Sequence, residues 1–329
     1  MTPELDDYLG SLRGLRLDGF LLARAERPWS VTRGCLSSCV VEHGVDAAPW
    51  AARGVTAPGA FTFAFAGGPG AELRVDGRAT APGALHAWRG GTRVAIVARR
   101  PADWFVVTVG EAALRAPFPA NDAGGGSTPG SPPEPGRLPD LATRALRAAE
   151  AAGAAGASPE AVSLERDLLR ELAGWTGAPA SSRRQGGANR IDRCPVLEKI
   201  DALLDERPSE PLYVADLCAA TGLPERTLRY VLVEEYGVSP IRFLRSRRLC
   251  QLRRSLRSDE TRNESLARIA ERHGFRHMGS FASDYRRLFG ELPSETRRSS
   301  SRPARAGAPA DAAPRDAPKR SPEAAVGGA

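Results

Sequence analysis

At 329 residues the chain is long enough for two domains, and a formal net charge of +7 with a pI near 9.6 favours a polyanionic partner. Five cysteines, at positions 35, 39, 194, 218 and 250, form no paired framework, and no run approaches the ~20 apolar residues of a bilayer span. These features exclude a disulfide-stapled module and a helical membrane protein, and the acidic opening MTPELDDYLG lacks a secretory leader, so the expected compartment is the cytoplasm.

Taken in order, residues 1–27 read as a short helix followed by an apolar strand around Phe20-Leu21-Leu22. From 28 to 118 the runs CLSSCVVEHG, AFTFAFAGG, AELRVDG, ALHAWRGG, RVAIVARR and DWFVVTV are separated by Gly, Pro and Asp turns. A spacing of ~8–12 residues between such runs predicts an antiparallel sandwich or barrel. Trp29, Trp50, Phe61, Phe63, Phe65, Trp88 and Trp104 could line a pocket there, but for most of them the expected place is the core. PANDAGGGSTPGSPPEPG, residues 119–136, is low in complexity and reads as a solvated linker or loop tip. Residues 138–156 and 159–175 have helical patterning, with Leu164, Leu168, Leu172 and Trp175 on one stripe. That stripe fits packing against the β-domain or, alternatively, a dimer helix. GAPASSRRQGGANR is a second linker, and a helix from Asp192 to Glu206 opens the C-terminal region. From Ser299 onward the composition predicts a disordered tail, whose Arg302, Arg305, Lys319 and Arg320 would add non-specific DNA contact.

The region between carries one device twice. In PLYVADLCAATGLPERTLRYVLVEEYGVSP, the apolar Val214, Leu217 and Cys218 share a face of a short helix, and Gly222-Leu223-Pro224 breaks it. A second helix from about Glu225 to Tyr236 buries Leu228, Val231 and Leu232 and leaves Arg226, Arg229 and Tyr230 outside, before Gly237 ends it. The pattern returns in SLARIAERHGFRHMGSFASDYRRLFGELPSETRR. Leu266, Ile269 and Ala270 form the first buried face, Gly274-Phe275 the turn, and Phe281, Tyr285 and Leu288 the buried face of a helix from about Met278 to Phe289. Its outer face carries Gly279, Ser280, Ser283, Arg286 and Arg287. Each copy is the sequence form of a helix-turn-helix. Between them, periodicity through Ile241, Leu244, Arg248, Leu252 and Leu256 predicts one joining helix, about Ser239 to Arg257.

Charge is unevenly placed: residues 240–298 hold 15 Arg against 7 Asp and Glu, whereas residues 190–239 hold 6 basic and 10 acidic residues. The electrostatic footprint is therefore expected on the joining helix and the second unit.

LCAATGLPERTL, EYGVSPIRFLRSRRL, IAERHGF and FASDYRRLFGELPSETRR, spread over roughly residues 195–298, resemble the DNA-binding domain of the AraC/XylS family of bacterial transcription regulators. FGELPSETRR, with HMGSFASDY before it, is most similar to the subgroup containing the ethanolamine-operon regulator. The resemblance implies an α+β chain: an N-terminal cupin-like antiparallel β-domain for sensing or dimerisation (1–118), a linker with connector helices (119–190), an all-α DNA-binding domain with two helix-turn-helix units (191–298), and a tail (299–329). Implied partners are double-stranded promoter DNA, RNA polymerase, a small-molecule effector and a second copy of the chain, with no membrane and no cofactor; an activator is the family habit. Arg226, Arg229 and Tyr230 match the family positions that face base edges, and Arg276, His277, Met278, Gly279, Ser280 and Ser283 occupy the matching positions of the second unit. Arg can bond both acceptors of a guanine edge, a discrimination of ~1–3 kcal/mol. The competing reading pairs Arg226 or Arg229 with Glu225 or with a phosphate. Arg286 and Arg287 are expected to clamp phosphates.

Two rival functions remain. One is a ligand-independent architectural DNA binder. The other is a cupin enzyme fused to a DNA-binding domain, which would need clustered His and carboxylate ligands; His43 and His86 are far apart and form no H-x-H pair, so no enzyme is expected. Cys35 and Cys39 suggest a thiol switch, but placed on one strand they suit burial better than a disulfide.

Overall fold

The computed structural model describes residues 4–68, 70–80, 83–113, 128–130, 136–152, 158–174, 193–208 and 210–300. Helix α1 (Leu5–Ser11) leads into strands β1 (Leu15–Leu21), β2 (Ser30–Cys35), β3 (Cys39–Val45), β4 (Trp50–Thr56), β5 (Ala60–Ala66), β6 (Leu73–Val75) and β7 (Arg78–Ala79). β8 (Leu85–Arg89), β9 (Arg93–Ala98), β10 (Asp103–Gly110) and β11 (Thr128–Gly130) complete two antiparallel sheets, ordered β1-β4-β9-β6-β7 and β11-β8-β5-β10-β3-β2. The antiparallel sandwich or barrel expected from the turn rhythm is thus a two-sheet sandwich.

Alternation explains its layers. Trp104 and Val106 of β10 point between the sheets, toward Trp50, Ala52, Val94 and Ile96. Phe105, Val107 and Val109 point the other way, beneath α2 (Arg137–Ala152) and α3 (Pro159–Ala173). A strand buried on both faces reads as a continuous apolar run, which is how DWFVVTV reads. Leu164, Leu168 and Leu172 are buried on this sheet, so the stripe packs against the β-domain; Trp175 lies outside the described residues, as do the second linker and the tail beyond 300. Trp29, Trp50, Phe63, Phe65, Trp88 and Trp104 are buried, while Phe61 is half-buried. Inside the sandwich the Tyr8 hydroxyl and the Trp104 indole N–H donate to Asp46 Oδ1 at 2.7 and 2.9 Å, tying α1 to the core.

The C-terminal helices are α4 (Cys194–Glu206), α5 (Val214–Thr221), α6 (Glu225–Tyr236), α7 (Pro240–Arg257), α8 (Leu266–Arg272), α9 (Met278–Phe289) and α10 (Pro293–Ser300). They lie against the outer face of the five-stranded sheet. Phe20 of β1 meets Phe243 of α7 edge-on at 5.2 Å, the Leu21 N–H points at Cys250 Sγ, and Arg53 of β4 pairs with Asp205 of α4 at 3.1 Å. A crevice of about 1160 Å³ runs along this junction, lined among others by Phe20, Val97, Leu197, Asp201, Tyr236 and Arg247.

Three local readings need correction. The stretch read as a solvated linker or loop tip supplies β11, which pairs with β8 at the edge of its sheet. Ile241 is 58% exposed, because Pro240, Phe243 and Leu244 set the buried face at the start of α7. Cys35 and Cys39 sit on two strands of a hairpin, and Cys35 is exposed while Cys39 is buried. Beyond α9, a stretch whose secondary structure the sequence left open, PSETRR, forms part of α10, with the Arg297 guanidinium donating to the carbonyl of Arg262 at 2.6 Å.

Candidate nucleic-acid interface

The first unit is built by its punctuation. Gly222 (φ 72°) and Gly237 (φ 72°) adopt the left-handed conformation that ends α5 and α6. Pro224 (ψ 150°) is the residue just ahead of α6, one place earlier than a first-turn proline. Leu228, Val231 and Leu232 are fully buried against Ile200, Leu203, Leu204, Leu217 and Leu244. That burial leaves Arg226 and Arg229 exposed and Tyr230 48% exposed on one outward face. Neither arginine makes an ion pair among the described residues, so pairing with Glu225 is not what occupies them.

The second unit repeats this. Ser265 caps α8 by accepting from the Arg268 N–H at 3.2 Å, and Gly274 (φ 79°) makes the turn. His277 precedes α9, and Gly290 (φ 80°) ends it. Phe281 and Tyr285 are fully buried, with Leu288 beside them. Arg276, His277, Met278, Gly279, Ser280 and Ser283 are exposed, and the Ser280 hydroxyl donates to the His277 carbonyl at 3.0 Å. Arg286 and Arg287 are exposed too, but they differ: Arg287 pairs with Asp284, which also holds Arg245, whereas Arg286 has no acidic partner among the described residues.

On α7 the arginines depart from the footprint expected there. Arg253 binds Glu4 at 2.6 Å and Glu291 at 2.8 Å; Arg254 binds Asp6 at 2.6 Å and Asp18 at 2.7 Å; Arg257 binds Glu4 at 2.7 Å. Arg247, 5% exposed, donates to the carbonyls of Arg207 and Pro208, and burial pulls its pKa down to about 10. Arg248 lies over the rings of Tyr213 and Phe275 at 5.3 and 5.4 Å. Most of the positive charge counted on this helix therefore faces the protein's own acids and carbonyls. Glu4, Asp6 and Asp18 are ion-pair partners of α7 that sequence reasoning missed. The one available signal was the acidic opening, and nothing in it names a partner some 250 residues away.

The profile of a family described as "Helix-turn-helix domain" matches residues 217–299. The chain is 30% identical over 106 residues to the XylDLEGF operon transcriptional activator 2 of Pseudomonas putida, covering 32% of this chain and 68% of that protein. It is 30% identical over 144 residues to the probable thc operon regulatory protein of Rhodococcus erythropolis, covering 42% of this chain and 43% of that one. Among solved structures, a probable AraC family transcriptional regulator from Rhodopseudomonas palustris CGA009 is 29% identical, with 32% of this chain and 97% of that chain covered and a TM-score of 0.29. With several further relatives the match spans about a third of their length. Two helix-turn-helix units in tandem, a helix-turn-helix profile over residues 217–299 and a Pseudomonas putida relative 30% identical and covered to 68% place the chain in the AraC/XylS family of transcription regulators.

Proposed function

We propose that the chain binds promoter DNA through α6 and α9 and activates transcription from it. The observation that carries this reading is the outward face of α6, where Arg226, Arg229 and Tyr230 stand together, exposed, with neither arginine in an ion pair among the described residues. An α-helix fits the ~12 Å width of the major groove, where a guanidinium can address guanine O6 and N7. Arg226, Arg229 and Tyr230 are assigned to base edges. Arg276, His277, Ser280 and Ser283 are assigned to the second groove, in which short side chains let the α9 backbone approach closely. Arg286 is assigned to a phosphate, with Arg287 a weaker second clamp because Asp284 already holds it.

Residues 191–298 are the DNA-binding domain in this reading, and residues 1–118 the sensing or dimerisation domain, joined by 119–190 and followed by the tail 299–329. A small-molecule effector would act through the β-domain; the crevice between that domain and α4, α6 and α7 is a place where a bound molecule would alter how they meet. RNA polymerase and a second copy of the chain are the protein partners, and the cytoplasm is the compartment. The likeness of FGELPSETRR to the ethanolamine-operon regulator subgroup belongs to the same proposal. Selecting DNA from a random pool with the full chain tests it: an enriched two-segment motif is expected, and a pool with no enriched sequence at low salt overturns it.

A further inference from the structure

Both helices assigned to the DNA grooves end in a left-handed glycine, and each of those glycines is met by an arginine of the β-domain. A methyl group built on Gly290, at the end of α9, would stand 2.7 Å from Arg24 Nη2 and 3.0 Å from Arg24 Nε. One built on Gly237, at the end of α6, would stand 3.4 Å from Arg99 Nε and 3.6 Å from Arg99 Nη2. The C-terminal end of a helix carries unpaired carbonyls and a partial negative charge, which a guanidinium complements. Arg24 follows β1 and Arg99 follows β9, and in the five-stranded sheet those strands are separated only by β4. The two arginines thus project from one hydrogen-bonded frame.

Each helix has a second hold on the same domain. Arg74 of β6 pairs with Glu235, in the last turn of α6, at 2.5 Å. Glu4, next to α1, binds Arg253, whose guanidinium also donates to the Tyr285 hydroxyl of α9 at 2.9 Å. Two holds on each helix restrain its tilt as well as its position. α7 joins the two units as one rod that packs into both, with Phe243 and Leu244 against α6 and with Leu252 and Leu256 against α8 and α9, and the sheet adds a second frame outside that rod.

We infer that the β-domain sets the separation and tilt of the two recognition helices, with Arg24 and Arg99 as the positioning residues that hold α9 and α6 by their C-terminal ends. This rests on the reading of α6 and α9 as the DNA-contacting helices. It makes the β-domain a gauge: a change in that sheet alters which spacing of two DNA segments the chain accepts. Neither arginine touches DNA in this arrangement, so both act through the helices they hold.

The test compares full-length wild type with an Arg24→Gln, Arg99→Gln double variant on the selected operator and on the same operator with three base pairs inserted between its segments. A rigid two-headed binder loses its avidity when geometry forbids simultaneous engagement, so wild type should lose about 100-fold or more on insertion. The double variant should keep its affinity for the unaltered operator within about threefold and lose only about tenfold on insertion, because a looser pair of heads adapts. An Arg24→Lys, Arg99→Lys variant, which keeps both charges, should restore most of the penalty. An insertion penalty equal in wild type and the Gln variant overturns the inference, whether or not overall affinity has fallen. A wild-type chain that prefers no sequence overturns the DNA reading itself, and a sequence-specific wild type indifferent to the insertion overturns the gauge alone.

Discussion

Arg74 Nε lies 2.5 Å from the Glu235 carboxylate, and both side chains are buried between the sheet and the last turn of α6. Burial raises the Glu235 pKa, and the facing Arg74 opposes that rise. Removing one partner strands the other charge in a poorly solvated place. Arg74→Met alone should cost about 3–5 kcal/mol, whereas Arg74→Met with Glu235→Leu should return close to wild type, since an apolar pair needs no compensation. Urea denaturation of the three proteins measures this. Single and double variants of equal stability would mean that the pair is solvated and does not join the domains.

Arginines on three helices should separate by what they do to DNA binding. Arg226→Ala or Arg229→Ala should lose about 1–3 kcal/mol of preference for the operator while keeping non-specific affinity. Arg286→Ala should weaken binding to every sequence and lower the salt slope by about 0.9. Arg254→Ala should leave that slope unchanged, because its guanidinium is held by Asp6, Asp18 and the Gly19 carbonyl. Anisotropy titrations over a range of salt distinguish the classes. A slope lowered by Arg254→Ala as much as by Arg286→Ala would return α7 to the DNA surface.

The β-domain carries a pH dependence of known sign. His86 is buried beside Trp88, with Thr80 Oγ1 at 3.1 Å from Nε2, and burial pushes its pKa down to about 4. As pH falls below the ordinary ~6.5 the unfolded chain takes a proton that the folded one refuses. The stability tied to His86 is therefore complete above ~6.5 and is lost toward pH 4, by an amount on the order of 3 kcal/mol. Asp46, pushed up to about 6 by burial, acts in the opposite sense, since its folded form takes up a proton first. His86→Gln isolates the histidine: its stability should fall less than that of wild type between pH 7 and 4. Parallel curves would show that His86 is not held neutral.

Where a residue's role depended on its own helix, it was legible in the sequence. Gly222 and Gly237 mark the ends of α5 and α6, and Gly274 the turn after α8, because a positive φ is needed there and only glycine adopts it without strain. The outward placement of Arg226, Arg229 and Tyr230 follows from the burial of Leu228, Val231 and Leu232 on the same helix. Strand β4 was missed: WAARGVT breaks its apolar alternation with Arg53 and Gly54, which face α4 and the β1 backbone rather than water. The arginines of α7 misled for a related reason. Charge states how strongly a residue wants a counter-ion, but not whether that ion is a phosphate or, as here, Glu4, Asp6 and Asp18.

The central claim is that one chain presents two recognition helices to successive major-groove segments on one face of DNA. The 18 residues of α7 extend about 27 Å at 1.5 Å per residue, and offsets of α6 and α9 beyond its ends bring the heads toward the ~34 Å between successive groove entries. Hydroxyl-radical footprinting of the full chain on its selected operator measures that relation most directly. Two protected segments centred about 10–10.5 base pairs apart on one face are predicted, with Arg226→Ala and Arg229→Ala weakening one segment only. A single protected segment, or two on opposite faces of the duplex, would contradict the account.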